Sequence, residues 1–279
     1  MRTLDYVKLA TTIEVGKEKD EKFYLLKGIL RSFNSKEICG CLDLGFKQPI
    51  LFRKLILERI LEDIKKQVET CHFKLFDSLL NSFNNGFLTY HQKEACSVFI
   101  YEIAIYMPPV LVDKAINDFA NSNYVNDRGR AMDLIDLFWQ DKYKNLLVDL
   151  FNNFGDGFNL MIDKLSPEFL FSKLNQLLKY LGDDLENDFD LRVLRNKLFI
   201  KIHKYIPEKI DEIKNSDPIS YIFIKKEIGE KIKAEYALDV YKKFPRSRRY
   251  LPVWYGEMKQ RSALNKIIIF LNKKADDKD

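Results

Sequence analysis

The chain has 279 residues, 46% apolar and 31% charged, with a net charge of +5, 11 glycines and 8 prolines. That balance is globular, with enough apolar residues for a sizeable core, and so few turn formers exclude a strand-rich fold. The most apolar stretch, residues 97–112, is broken by Glu102, Pro108 and Pro109, which excludes a membrane span, and Met1-Arg2-Thr3-Leu4-Asp5 opens no signal segment.

A cytoplasmic location is therefore expected. Four cysteines, at 39, 41, 71 and 96, are too few and too uneven for a disulfide framework and read as thiols. The charge is asymmetric: residues 1–191 carry a net −5 and residues 192–279 a net +10, so the C-terminal third is the basic end.

In chain order, the charge-mixed run at residues 17–22 reads as a solvated turn before a short helix over residues 23–33. Ser35 is suited to cap the next helix, which ends near Gly45. After Pro49, residues Leu57, Ile60, Leu61, Ile64 and Val68 hold a helical stripe. Residues 71–83 give another amphipathic helix, closed at Asn84-Asn85-Gly86.

Residues 99–139 then form the best-patterned unit. Phe99, Ile103 and Tyr106 fall on one helical stripe, widened by Ile100 and Ile105. Pro108 and Pro109 end that helix and suit the first turn of the next, where Leu111, Ala115 and Phe119 repeat the stripe. Asn121, Ser122, Asn123 and Asn126 supply a turn, Asp127 is placed to cap, and Ala131, Leu134, Ile135 and Phe138 carry a third helix.

Further on, a helix with Leu147, Leu150, Phe151 and Phe154 stops at Gly155-Asp156-Gly157. Ser166-Pro167-Glu168 starts one helix whose face bears Leu170, Leu174, Leu177, Leu178 and Leu181, ended by Gly182. Leu191, Leu194, Leu198, Ile202 and Tyr205 make the next, Pro207 restarts the chain, and Asp217-Pro218 opens another. Ala237, Val240, Tyr241 and Phe244 precede Pro245, and the last helix runs through Leu264, Ile267, Ile268 and Leu271.

The reading is all-α. Inter-helix prolines at 108, 167, 207 and 245 stand 59, 40 and 38 residues apart, and Tyr106-Met107-Pro108-Pro109 is echoed by Tyr205-Ile206-Pro207-Glu208. Asn126-Asp127-Arg128-Gly129-Arg130-Ala131 with Leu134, and more loosely Asp190-Leu191-Arg192 with Leu194, look like the Asp/Arg start of a second repeat helix. Over residues 90–250 this resembles the HEAT and armadillo class. The resemblance implies stacked antiparallel helix pairs, a HEAT-like α-solenoid of about a dozen helices in one domain over residues 1–275, with a subdivision near residue 88. A non-repeating helical bundle is the alternative, and residues 276–279 form a tail.

The sharpest candidate surface lies in residues 241–266. Lys242, Lys243, Arg246, Arg248, Arg249, Lys259, Arg261 and Lys266 face a single anion, Glu257, with Phe244, Tyr250, Trp254 and Tyr255 interleaved. Four of the 12 arginines fall between 246 and 261 in a chain that otherwise prefers lysine, and a guanidinium binds carboxylate or phosphate through a two-pronged fork. The competing reading is a solvated loop whose cations pair with nearby acids and whose aromatics anchor the core. The anionic-partner set is Lys242, Lys243, Arg246, Arg248, Arg249, Tyr250, Trp254 and Arg261.

Cys39-Gly40-Cys41 with Cys71-His72 offers four metal donors, but the spacing departs from zinc ribbons and fingers, so buried thiols and no metal or other cofactor are expected. The acidic residues 183–190 lack the glycine and distal glutamate of an EF-hand loop and read as a solvated connection. His72, His91 and His203 have no nucleophile context, and His203 sits near a helix end. The expected role is a non-enzymatic interaction protein, an adaptor, scaffold or inhibitor holding a protein partner on a concave face or at the basic C-terminal end. Nucleic-acid binding through that basic third is the alternative. HEAT-like DNA glycosylases for alkylated bases share this build, although none of their site residues maps onto a position here.

Overall fold

The structure, a computed structural model, describes residues 21–45, 50–85, 88–182, 189–245, 248–249 and 251–276. It is all-α, with seventeen α-helices and no strand among the described residues. The chain divides into two compact units, residues 1–157 and 158–279.

The first unit holds α1 (Glu21–Ser32), α2 (Ser35–Gly45), α3 (Ile50–Lys66), α4 (Thr70–Asn84), α5 (Tyr90–Ala104), α6 (Pro109–Ala120), α7 (Val125–Leu137) and α8 (Lys144–Phe154). Among α2 to α7 each helix packs on the next but one, α2 also packs on α3, and α4, α5 and α6 each pack on their successor. Residue 88, where a subdivision is expected, lies between α4 and α5, which pack together. The apolar stripes meet along this series: Phe76, Phe99, Ile103, Ala115, Phe119 and Leu134 are fully buried, and the Phe83 and Phe119 rings meet edge to face at 5.3 Å.

Local chemistry sets the helix boundaries. Pro108 is the N-cap of α6 and Pro109 its first residue, as their missing N–H groups allow. Thr89 caps α5 through its hydroxyl, which accepts the Gln92 amide. Ile105, expected on the α5 stripe, lies just past the helix end and is exposed. The expected cap of α2 shifts by one residue. Asn34 rather than Ser35 fills it, its Oδ1 accepting the Glu37 amide at 3.0 Å while the Glu37 carboxylate accepts the Asn34 amide at 2.9 Å.

Asp127 does not cap α7 either, because the helix already begins at Val125. Its buried carboxylate instead accepts the Ser122 hydroxyl at 2.6 Å and pairs with Arg130 at 3.2 Å. Arg130 reaches on to Glu94 at 2.6 Å and to Ser97, so α7 is fastened to α5 by satisfied polar groups. Arg128 pairs with Asp156, donates to the Ser122 carbonyl and lies 4.1 Å from the Phe154 ring centroid.

The second unit holds α9 (Phe158–Lys164), α10 (Pro167–Ser172), α11 (Leu174–Leu181), α12 (Phe189–Ile202), α13 (Pro207–Ser216), α14 (Pro218–Glu227), α15 (Ala234–Lys243), α16 (Leu251–Glu257) and α17 (Arg261–Asp276). Ser166 and Asp217 cap α10 and α14 by accepting the amides of Phe169 and Ser220, each followed by proline. The single helix expected from Ser166 to Leu181 is two, broken at Lys173, whose ψ of 5° takes the backbone out of the helix while the leucines keep facing inward. Helix α12 gathers α9, α10, α11 and α14 around it, and α17 packs on α15 and α16.

Candidate functional site

The C-terminal end of the second unit is built from α15, α16 and α17. Tyr255 is fully buried, and its hydroxyl donates to the Ala237 carbonyl at 3.2 Å, fastening α16 to α15. Helix α17 turns Ala263 and Ile267 inward, and Gln260 is buried just ahead of it. Counted at about 100° per residue, Arg261, Asn265, Ile268 and Asn272 then share the outward stripe, with Ile269 beside it. Ile268 is 53% and Ile269 60% exposed, and Val253 on α16 is 57% exposed. One residue of helical rotation past the buried Ile267 turns Ile268 onto the outward stripe.

Of the eight anionic-partner residues, Arg246 and Tyr250 lie outside the described residues. Arg248 serves its own fold: its Nε donates to the Tyr241 carbonyl at 3.0 Å and its Nη2 to the Lys242 carbonyl at 2.9 Å, satisfying two of the free carbonyls that end α15. Trp254 is half-buried against Phe223, ring centroids 5.4 Å apart, so it anchors α16 to α14. Lys243 pairs with Asp239 at 2.9 Å, and Lys242 places its ammonium 4.8 Å from the Phe270 ring. Lys266 pairs with Glu235 at 2.6 Å, and Glu257 is taken by Lys226 at 2.7 Å. Exposed pairs of this kind contribute roughly 0–1 kcal/mol each. Arg249, Lys259 and Arg261 are exposed and make neither an ion pair nor a ring contact with any described residue, whereas Lys242 is exposed but held over Phe270.

Lys259 has an unusual backbone. Its φ is +54°, and the Gln260 amide bonds back to the Tyr255 carbonyl at 2.8 Å, so the lysine fills the left-handed position that glycine usually takes at a helix end. This turn joins α16 to α17, which pack together.

A second cluster lies in the first unit, where α2 packs on α4. One donor atom from each of Cys39, Cys71 and His72 lies within 4.8 Å of the others. Cys41 is not part of it: two residues on along a helix is a turn of about 200°, and Cys41 is buried in the core. His72 is fully buried; its Nδ1 accepts the Glu69 amide at 2.9 Å, so Nε2 carries the proton that faces Asp63 Oδ2 at 3.2 Å. The Glu69 carboxylate accepts from Ser35 at 3.2 Å and lies 3.8 Å from Cys71 Sγ. Burial, then Cys71, then the carboxylates of Asp63 and Glu69 push the Cys39 thiol well above its ordinary range. An open cavity of about 760 Å³ is lined by Cys39, Glu69 and Cys71, with Lys36 and Lys74 among its walls.

The acidic residues 183–188 lie outside the described residues. Near the end of α12, half-buried His203 bonds through Nδ1 to the Ile200 carbonyl at 2.8 Å. No helix among the described residues is long and apolar enough to cross a membrane. Compared with models of known protein families, with characterised proteins and with solved structures, the chain matches none.

Proposed function

We propose that the chain is a helical binding protein whose C-terminal end receives an acidic partner protein. The observation that carries this reading is the outer face of α17 with its α16 turn. Ile268 and Ile269 stand exposed on the side of α17 that carries Arg261, and Val253, Arg249 and Lys259 are exposed on the segments that lead into it. Exposed apolar residues with cations that pair with no described residue suit a protein interface. Phosphate contacts would use the cations and leave the isoleucines unexplained, which favours protein over nucleic acid. The neighbour and next-neighbour packing of α2 to α7 supports a HEAT-like arrangement of helix pairs in the first unit, and with it a role in recognition.

The test is capture from the source cell with the tagged chain, at low and high salt, with and without nuclease. The expected result is a protein that survives nuclease and is lost when Ile268→Ser and Ile269→Ser are combined. Charge reversal at Arg249 and Arg261 should weaken capture more at low salt than at high salt. Capture abolished by nuclease would replace this reading with nucleic-acid binding, whose affinity falls steeply with salt.

A further inference from the structure

We propose that Cys39, Cys71 and His72 form a binding site for a thiophilic divalent metal ion, zinc by the character of its donors, with the Glu69 carboxylate closing the coordination. Two sulfurs, an imidazole nitrogen and a carboxylate oxygen make up a ligand set that zinc takes in four-coordinate sites. The three donors already lie within 4.8 Å of one another, and the Glu69 oxygen lies 3.8 Å from Cys71 Sγ. In a tetrahedral zinc site the edge between two thiolates is about 3.8 Å. The thiols therefore need to close by at most about 1 Å, within the reach of side-chain rotation.

The surroundings favour a cation. Two thiols converge with Glu69 and with Asp63, which Arg59 approaches at 3.8 Å on the other side, and a metal ion takes the place of the two thiol protons, which leave to solvent. Disulfide formation is the competing use of two neighbouring thiols. It requires a ready thiolate, and an electronegative, half-buried setting disfavours that anion unless a metal holds it. The neutral imidazole is bonded on both sides, Nδ1 to the Glu69 amide and Nε2 to Asp63, so the ion displaces one bond and the other fixes the ring. The open cavity beside Cys39 and Cys71 gives the ion an entry path, and Lys36 and Lys74 on its walls offset the excess negative charge.

This site owes nothing to the C-terminal surface and stands or falls separately. The purified full chain, stripped with chelator and kept reduced, is titrated with Co²⁺. The expected result is one equivalent bound with thiolate-to-cobalt charge-transfer absorption and the strong visible bands of a tetrahedral site, displaced by Zn²⁺. Cys39→Ser and Cys71→Ser should abolish the charge-transfer band and Cys41→Ser should keep it, while Asp63→Asn, removing a positioning residue, weakens affinity by about tenfold. A wild-type chain without the band, or a band that survives both Cys39→Ser and Cys71→Ser, overturns the proposal. If either serine variant fails to fold, alkylation of the wild-type chain decides instead. Zinc that slows labelling of Cys39 and Cys71 about tenfold or more supports the site, and equal labelling with and without zinc overturns it.

Discussion

Arg195 of α12 and Asp217, the residue between α13 and α14, meet at 2.6 Å, the Arg195 Nη2 donating to Asp217 Oδ2. Both are largely shielded, and the same carboxylate caps α14 by accepting the Ser220 amide at 3.2 Å. One side chain thus starts a helix and neutralises a buried guanidinium. Asp217→Asn leaves that guanidinium without its counter-charge, and a loss of about 3 kcal/mol is expected in urea unfolding at pH 7.

The same pair gives a pH dependence. Burial raises the Asp217 pKa, but the bonds from Ser220 and Arg195 outweigh it, and the net shift is downward. A carboxyl with a lowered folded pKa contributes stability that is present above its unfolded value, near pH ~4, and is lost as pH falls through the folded value. The gap in unfolding free energy between wild type and Asp217→Asn should therefore be constant from neutral pH to about pH 5 and shrink below pH ~4. A gap unchanged down to pH ~3 would contradict the assignment.

Phe119 is fully buried on α6, with its ring against Phe83. Phe119→Ala removes that contact and opens a cavity in the core where α4, α5 and α6 meet, and thermal and urea unfolding should record a loss of about 3–5 kcal/mol. Phe119→Leu keeps most of the volume and should lose less.

Lys259 offers a separation of stability from binding. Its left-handed backbone carries a penalty of roughly 1 kcal/mol for a residue with a Cβ, so Lys259→Gly should stabilise the fold by about that much. The same change removes a cation from the binding face. Raised unfolding midpoint with weakened partner capture is the expected pair of results; a variant that gains stability and loses no binding would take Lys259 out of the surface.

What could be read in the sequence was local. Proline and cap chemistry placed the starts of α6, α10, α13 and α14, because a missing N–H or a short side-chain oxygen acts within four residues. Asn34 and Ser35 are both competent caps, and only the reach of Glu37 decides between them. Asp127 illustrates the limit: the residue type says cap, while its partners Ser122 and Arg130, and through Arg130 Glu94, depend on how α5 and α7 pack. At the C-terminal surface, the density of positive charge was legible. Which cations are spent on the fold was not, since Arg248 finds carbonyls and Lys266 finds Glu235 only once α15, α16 and α17 are assembled. Cys39 and His72 likewise come together only through the packing of α2 on α4.

Site-specific photo-crosslinking tests the functional proposal most directly. A photoreactive residue is placed at Ile269, on the outer face of α17, and separately at Val110, the 76% exposed apolar residue at the start of α6. The expected result is an adduct to a protein from position 269, resistant to nuclease and absent from position 110. Adducts from position 110 alone, or an adduct at 269 that nuclease removes, would contradict an acidic protein partner at the C-terminal end.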